Sequence, residues 1–203
     1  MFYEPKNGSP FPIDPYKSLI FPRPIGWISS ISKKGIANLA PYSYFNAIAD
    51  SPPQVMFVSS PTNSKIYKDS LNNILETKEF VVNFATSKTR NQMNMSSINA
   101  PSDIDEFSFA KIKKRKSKIV KVPSVSQSPV NLECKLLKKI KLKSYSKNYA
   151  VLVMGEVLGV FINNKFIKDK RVDSKAMRYV ARMGYSEYTI ISSKFKMPRV
   201  IWE

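Results

Sequence analysis

Lys68-Asp69-Ser70 stands where strand and loop material gives way to a short amphipathic stretch, a combination able to hold a phosphate. The first turn of a helix offers free backbone N–H groups and partial positive charge, and a Lys ammonium with a Ser hydroxyl would add to both. An ordinary cap, with Asp69 and Ser70 satisfying the first turn alone, accounts for these residues equally well. Upstream, the stretch from Arg23 to Ser60 places two apolar segments around a polar, aromatic-rich connection. Ser29, Ser30 and Ser32 follow the β-type run Ile25 to Ile28, Lys33-Lys34-Gly35 makes a turn, and Asn38-Leu39-Ala40-Pro41-Tyr42-Ser43-Tyr44-Phe45-Asn46 comes next. Flat aromatic surface mixed with amides and hydroxyls suits a planar heterocycle with hydrogen-bonding edges. If a phosphate-bearing aromatic ligand is bound, the Ser29 to Asn46 region holds its ring and the Lys68 region its tail.

Composition narrows the chemistry further. The chain has no histidine, which removes His-based triads, His-ligated zinc and His general bases. Its one cysteine, Cys134, allows neither an internal disulfide nor a Cys-cluster metal site, so no metal is expected and a reducing cytoplasm fits. GxGxxG, GxxxxGK[ST] and HExxH are all missing, and with six glycines the Rossmann and P-loop readings fail at once. A bound cofactor is then the economical source of chemistry. Thirty-three Lys plus Arg against 15 Asp plus Glu give a net charge of +18, which favours anionic ligands and raises nucleic acid or anionic membrane as partners.

Strand signals must supply the scaffold. Ile25 to Ile31, Gln54 to Ser59, Phe80 to Ala85, Val130 to Leu142, Tyr149 to Ile162 and Tyr188 to Ile191 are rich in Val, Ile, Phe and Tyr. Strict alternation puts Val130, Leu132, Cys134 and Leu136 on one buried face. The run Tyr149 to Ile162 is shorter than a bilayer span of about 20 residues and is interrupted by Gly155-Glu156, so it reads as strand and no membrane partner is expected. Helices are expected over 70–78, with Asp69 as N-cap, over 90–98, with Met93 and Met95 as core filler, and over 174–180. Trp27 is expected in the core. No repeat, linker or composition shift divides the chain, which predicts one domain over 1–203 with 1–14 as an N-terminal extension lacking the apolar core of a secretory signal. Many strands with few helices suggest a closed antiparallel barrel. Lys111 to Lys121 holds seven basic residues in eleven, a solvated loop or strand edge in its simplest reading and a phosphate-tracking patch otherwise.

In order as well as content these residues resemble the flavin reductase-like, FMN-binding split-barrel family. Arg-Pro-Ile at 23–25 with the serines that follow, Asn38 to Asn46, and Ser-Pro-Pro at 51–53 resemble its opening signature. Lys-Asp-Ser at 68–70, Asn73 and Glu-Phe-Val-Val-Asn at 79–83 resemble its phosphate-side segment. Glu133-Cys134, Gly155-Glu156-Val157, Arg182-Met183-Gly184 with Tyr188, and Met197-Pro198-Arg199 resemble later landmarks, so the likeness runs from about residue 15 to 199. A histidine frequent in the family just after Gly-Glu-Val is absent here, where Gly159-Val160-Phe161 stands.

The resemblance implies a mainly β fold, a six-stranded antiparallel Greek-key split barrel with a few peripheral helices. It further implies a homodimer with one FMN per subunit near the interface. On that pattern Asn38, Leu39, Ala40, Pro41 and Ser43 address the flavin's polar edge, Ser29 and Ser30 its ribityl or phosphate side, and Lys68, Asp69 and Ser70 the phosphate. Ser59, Phe45 and Asn46 complete the set, the last two being equally suited to core and turn. No side chain is catalytic, since flavin N5 carries the chemistry. NAD(P)H is the implied donor, and the acceptor is flavin, an oxygenase or another partner. A non-enzymatic FMN electron carrier is the alternative, and a basic nucleic-acid-binding barrel is less favoured because the flavin reading explains the aromatic residues better.

Overall fold

Strands form wherever β-branched and aromatic residues recur, and they pair antiparallel throughout. The computed structural model describes residues 1–62, 67–145 and 147–202. Seven strands make the main sheet: β1 (Gly26–Ile31), β2 (Ala37–Tyr42), β3 (Phe45–Asp50), β4 (Pro53–Ser59), β5 (Glu79–Asn83), β6 (Val130–Lys141) and β7 (Val151–Ile162). Their order is β2-β1-β5-β6-β7-β4-β3. Of the six strands that the sequence predicts, five lie in this sheet and the one at 188–191 lies outside it; the sheet reaches seven because residues 37–50, which read as a polar connection, form two. Asn38, Ala40 and Tyr42 pair with Ser30, Ile28 and Gly26, so tertiary pairing overrides the weak local signal. Two further strands, β8 (Val180–Gly184) and β9 (Glu187–Ile190), form a small sheet with Arg23–Pro24.

β1 buries both faces, which decides where its serines go. Ile28 joins a core of Phe57, Phe80, Val153 and Cys134, whereas Trp27 joins Leu39, Met93, Phe107 and Val125 on the other side. Trp27 is fully buried, and its indole N–H donates to Ser96 Oγ at 2.8 Å. Cys134 is a buried core side chain whose thiol is pushed far above its usual range by burial. Gly155 lets the Phe80 ring lie against β7, since a Cβ there would meet Phe80 Cζ at 2.3 Å.

The alternation along β6 predicts one buried face, yet Asn131 and Glu133 on the opposite face are buried as well. The basic run lies across them. Glu133 accepts the backbone N–H groups of Lys118 at 2.9 Å, Ile119 at 2.6 Å and Val120 at 3.2 Å, and Glu79 accepts that of Lys121 at 2.9 Å. Two carboxylates therefore pin the backbone while the side chains of Lys118 and Lys121 remain exposed. Glu133→Ala orphans three donors, and limited trypsin digestion is expected to cut between residues 111 and 121 several times faster, as located by mass spectrometry. Unchanged cleavage would show that something else holds the run.

Helices are short and peripheral. In α1 (Asp69–Thr77), Leu71 and Ile74 are buried and Lys78 closes the C-terminus in a left-handed conformation. Its N-cap is Lys68 and not Asp69, which instead lies in the first turn and accepts a bond from Ser102 Oγ at 2.7 Å. α2 (Arg90–Met95) stops three residues earlier than its pattern suggests, Met93 being buried and Met95 exposed. α3 (Glu106–Phe109), which the sequence reading did not anticipate, is capped by Asp105. α4 (Ser174–Met177) ends at Arg178, whose left-handed backbone turns the chain into β8. Among the described residues no helix is long and apolar enough to cross a membrane.

Candidate functional site

The start of α1 meets β2 in a cleft of about 160 Å³. Lys68 is half-buried there, with Nζ 5.6 Å from the centre of the Tyr42 ring, and it forms no ion pair among the described residues. Burial pushes its pKa below the ordinary lysine value. Behind it, Ser70 Oγ donates to Asn38 Oδ1 at 2.5 Å and Asn73 Nδ2 donates to Ser30 Oγ at 3.1 Å. Asn38 Nδ2 in turn donates to Glu106 Oε1 at 2.9 Å, and the Leu39 N–H donates to Glu106 Oε2 at 3.1 Å. One polar network thus ties α1, β1, β2 and α3 together. Asn38, receiving a hydroxyl proton on one side and facing a carboxylate on the other, has a single satisfied orientation.

Burial raises the Glu106 pKa, opposed by its N–H donors and reinforced by the charge of Asp69. A carboxyl whose folded pKa lies above its unfolded one contributes stability below the unfolded value and loses it as pH rises through the folded one. Tyr42 is buried and its hydroxyl has no hydrogen-bond partner among the described residues, while burial raises its pKa and the nearby Ser70 and Ser59 hydroxyls offset part of the rise.

The structure brings together Asn38, Ala40, Pro41, Lys68, Asp69 and Ser70 around this cleft. Ser30 stands one hydrogen bond behind it, and Ser59 lies beside Tyr42. Other expected residues go elsewhere. Ser29 faces the far side of β1, where its Oγ donates to the Pro123 carbonyl at 2.7 Å and accepts from Asn83 Nδ2 at 3.1 Å, because adjacent strand residues point to opposite faces. Leu39 buries its side chain in the second core and spends its N–H on Glu106. Phe45 is core, and exposed Asn46 accepts the N–H of Ala47 at 2.9 Å. Ser43 lines a separate cleft beside Tyr44. Glu106 escaped the sequence reading because its partners lie 68 and 67 residues away, the one local signal being Asp105 as a cap before Glu-Phe.

Residues 18–180 match the family model described as the flavin reductase like domain. The chain belongs to the flavin reductase-like family. A relative in Aquifex aeolicus, itself uncharacterized, is 35% identical over 171 residues, covering 84% of this chain and 85% of its own. Among solved structures, nitrilotriacetate monooxygenase component B from Bacillus cereus superposes with a TM-score of 0.88 at 27% identity, covering 97% of this chain and 98% of that one. Pseudomonas fluorescens 2-nitrobenzoate 2-nitroreductase NbaA gives 0.80 at 26% identity, covering 91% and 88%. The mainly β flavin reductase-like chain therefore has the split-barrel fold that its sequence resembles.

Proposed function

We propose that this flavin reductase-like protein binds FMN and passes reducing equivalents from NAD(P)H to flavin or to a partner acceptor, as a cytoplasmic homodimer. The observation that carries the reading is Lys68: a half-buried ammonium with no carboxylate partner among the described residues, at the start of a nine-residue helix, asks for an anion. A cleft of about 160 Å³ is below the roughly 300–1,000 Å³ of whole-ligand pockets and fits the phosphate end of the cofactor. FMN, when bound, supplies two-electron redox chemistry at its ring.

The chain's own residues bind and orient. Lys68 neutralises the phosphate, Ser70 and the first-turn N–H groups of α1 line its seat, and the Asn38 network holds that wall rigid. Ala40 and Pro41 run along the ring's polar edge. No side chain has to move a proton, which suits a chain without histidine. Likeness to a component B of a monooxygenase supports an oxygenase as one acceptor, and likeness to a nitroreductase supports reduction of a small molecule as another.

The test is an absorption spectrum of the purified protein with FMN, before and after anaerobic NADH. A flavin band that bleaches is the expected result. A band that bleaches only with dithionite would replace the enzyme by an electron carrier, and no protein-bound flavin would end the reading.

A further inference from the structure

At the β2–β3 turn lies a second cleft of about 480 Å³ whose chemistry the flavin does not use. Tyr42 lines the first and Ser43 with Tyr44 line the second, so the two are consecutive along the chain. Among the described residues three buried side-chain polar atoms have no hydrogen-bond partner. One is Tyr42 OH in the first cleft, and the other two, Arg23 Nε and Ser18 Oγ, belong to residues lining the second.

Arg23 is 7% exposed and has no ion pair among the described residues. Its Nη1 is anchored to the carbonyls of Lys17, Ile20 and Met183, the last two at 2.6 and 3.4 Å. Among the described residues its Nε has no acceptor, although a planar guanidinium fork is suited to an oxyanion. Lys17 and Arg182 bring two more cations to the lining, against one carboxylate, Asp14, whose Oδ1 accepts the Tyr16 N–H at 2.9 Å. Aromatic walls come from Tyr16, Tyr44 and Tyr185, with the Arg23 guanidinium 6.0 Å from the centre of the Tyr44 ring. The short helix Tyr16–Leu19 can close the cleft only because residue 184 is glycine, since a Cβ there would meet Ser18 Oγ at 2.2 Å.

We propose that this cleft binds the reaction partner through an oxyanion, a carboxylate or phosphate on a planar body, seated on Arg23 with Lys17 and Arg182 at the rim and tyrosines on either side. Its role beside a redox cofactor rests on the flavin reading, but binding itself does not, and calorimetry separates the two. The full-length protein, saturated with FMN and also without it, is titrated with benzoate and with inorganic phosphate. Benzoate is expected to bind in both forms. Competition by phosphate assigns the seat to phosphate-bearing partners as well, and its absence to carboxylates. Arg23→Lys keeps the charge but loses the fork, and should weaken benzoate by about tenfold. Because Arg23 also anchors three carbonyls, thermal unfolding checks that variant, and exposed Lys17→Gln provides a second reading, expected to weaken benzoate about two- to fivefold. No benzoate binding, full displacement of benzoate by FMN, or affinities unchanged in both variants would overturn the proposal. Benzoate binding in a protein that takes no FMN would retain the site and end the flavin reading.

Discussion

Lys68→Met will bind FMN about 1.5 to 3 kcal/mol more weakly, roughly 10- to 150-fold, while the chain without FMN unfolds at a temperature no lower than that of the unsubstituted protein. Both halves follow from one geometry. The Lys68 ammonium is half-buried against Tyr42 and forms no ion pair among the described residues, and burial lowers its pKa. A depressed lysine pKa means that the folded chain binds this proton less readily than the unfolded one. The charge therefore costs folded-state stability at neutral pH, a cost relieved as pH rises through the folded value. Methionine keeps the length and the apolar stem while removing that cost. A phosphate would reverse the balance by giving the ammonium its counter-charge. The Lys68 contribution to FMN affinity should accordingly fade at lower pH than an ordinary lysine allows. Fluorescence titration of FMN across pH, together with thermal melts, measures both. Equal affinity in the variant, or a marked drop in its melting temperature, would show that Lys68 is structural.

Glu106→Ala is expected to cost about 2 to 5 kcal/mol of folding stability, read as a lowered midpoint in guanidinium denaturation at constant slope. Two buried donors, Asn38 Nδ2 and the Leu39 N–H, lose their Glu106 acceptors, and an unpaired buried donor costs more than the net worth of its bond. Glu106→Gln should fall between, because an amide offers one oxygen where the carboxylate offers two and its NH₂ meets a donor. FMN affinity should fall with it, since Asn38 Oδ1 is also the acceptor for Ser70 at the phosphate seat. A stability loss without any change in affinity would show that the network supports the barrel and not the site. At low pH the wild-type advantage should grow, because a carboxyl whose pKa burial raises binds its proton more readily in the folded chain than in the unfolded one.

What the sequence made legible was whatever repeats with a period or stands as a local motif. The alternating run at 130–136 located β6, Leu71 and Ile74 located α1, and Lys68-Asp69-Ser70 located the helix start, with its cap displaced by one residue. β2 and β3 were hidden because Asn38, Pro41 and Asn46 dilute their strand character, and only pairing with β1 and β4 makes them strands. Ser29 and Ser30 look alike in sequence, yet the two-residue period of a strand sends them to opposite faces, one to Pro123 and Asn83 and the other to Asn38 and Asn73. Glu106 and the Arg23 cleft depend on contacts between distant segments. The charge of the basic run was obvious, but its anchoring by Glu79 and Glu133 was not, because neither carboxylate is near it in sequence.

The central claim is that an anionic tail is recognised by the start of α1, and comparing FMN with riboflavin on the same purified protein isolates that tail. The two ligands share the ring and differ in the phosphate. FMN is expected to bind at least about tenfold more tightly than riboflavin, with the difference collapsing in Lys68→Met. Equal affinities for the two, in a protein that binds both, would contradict it.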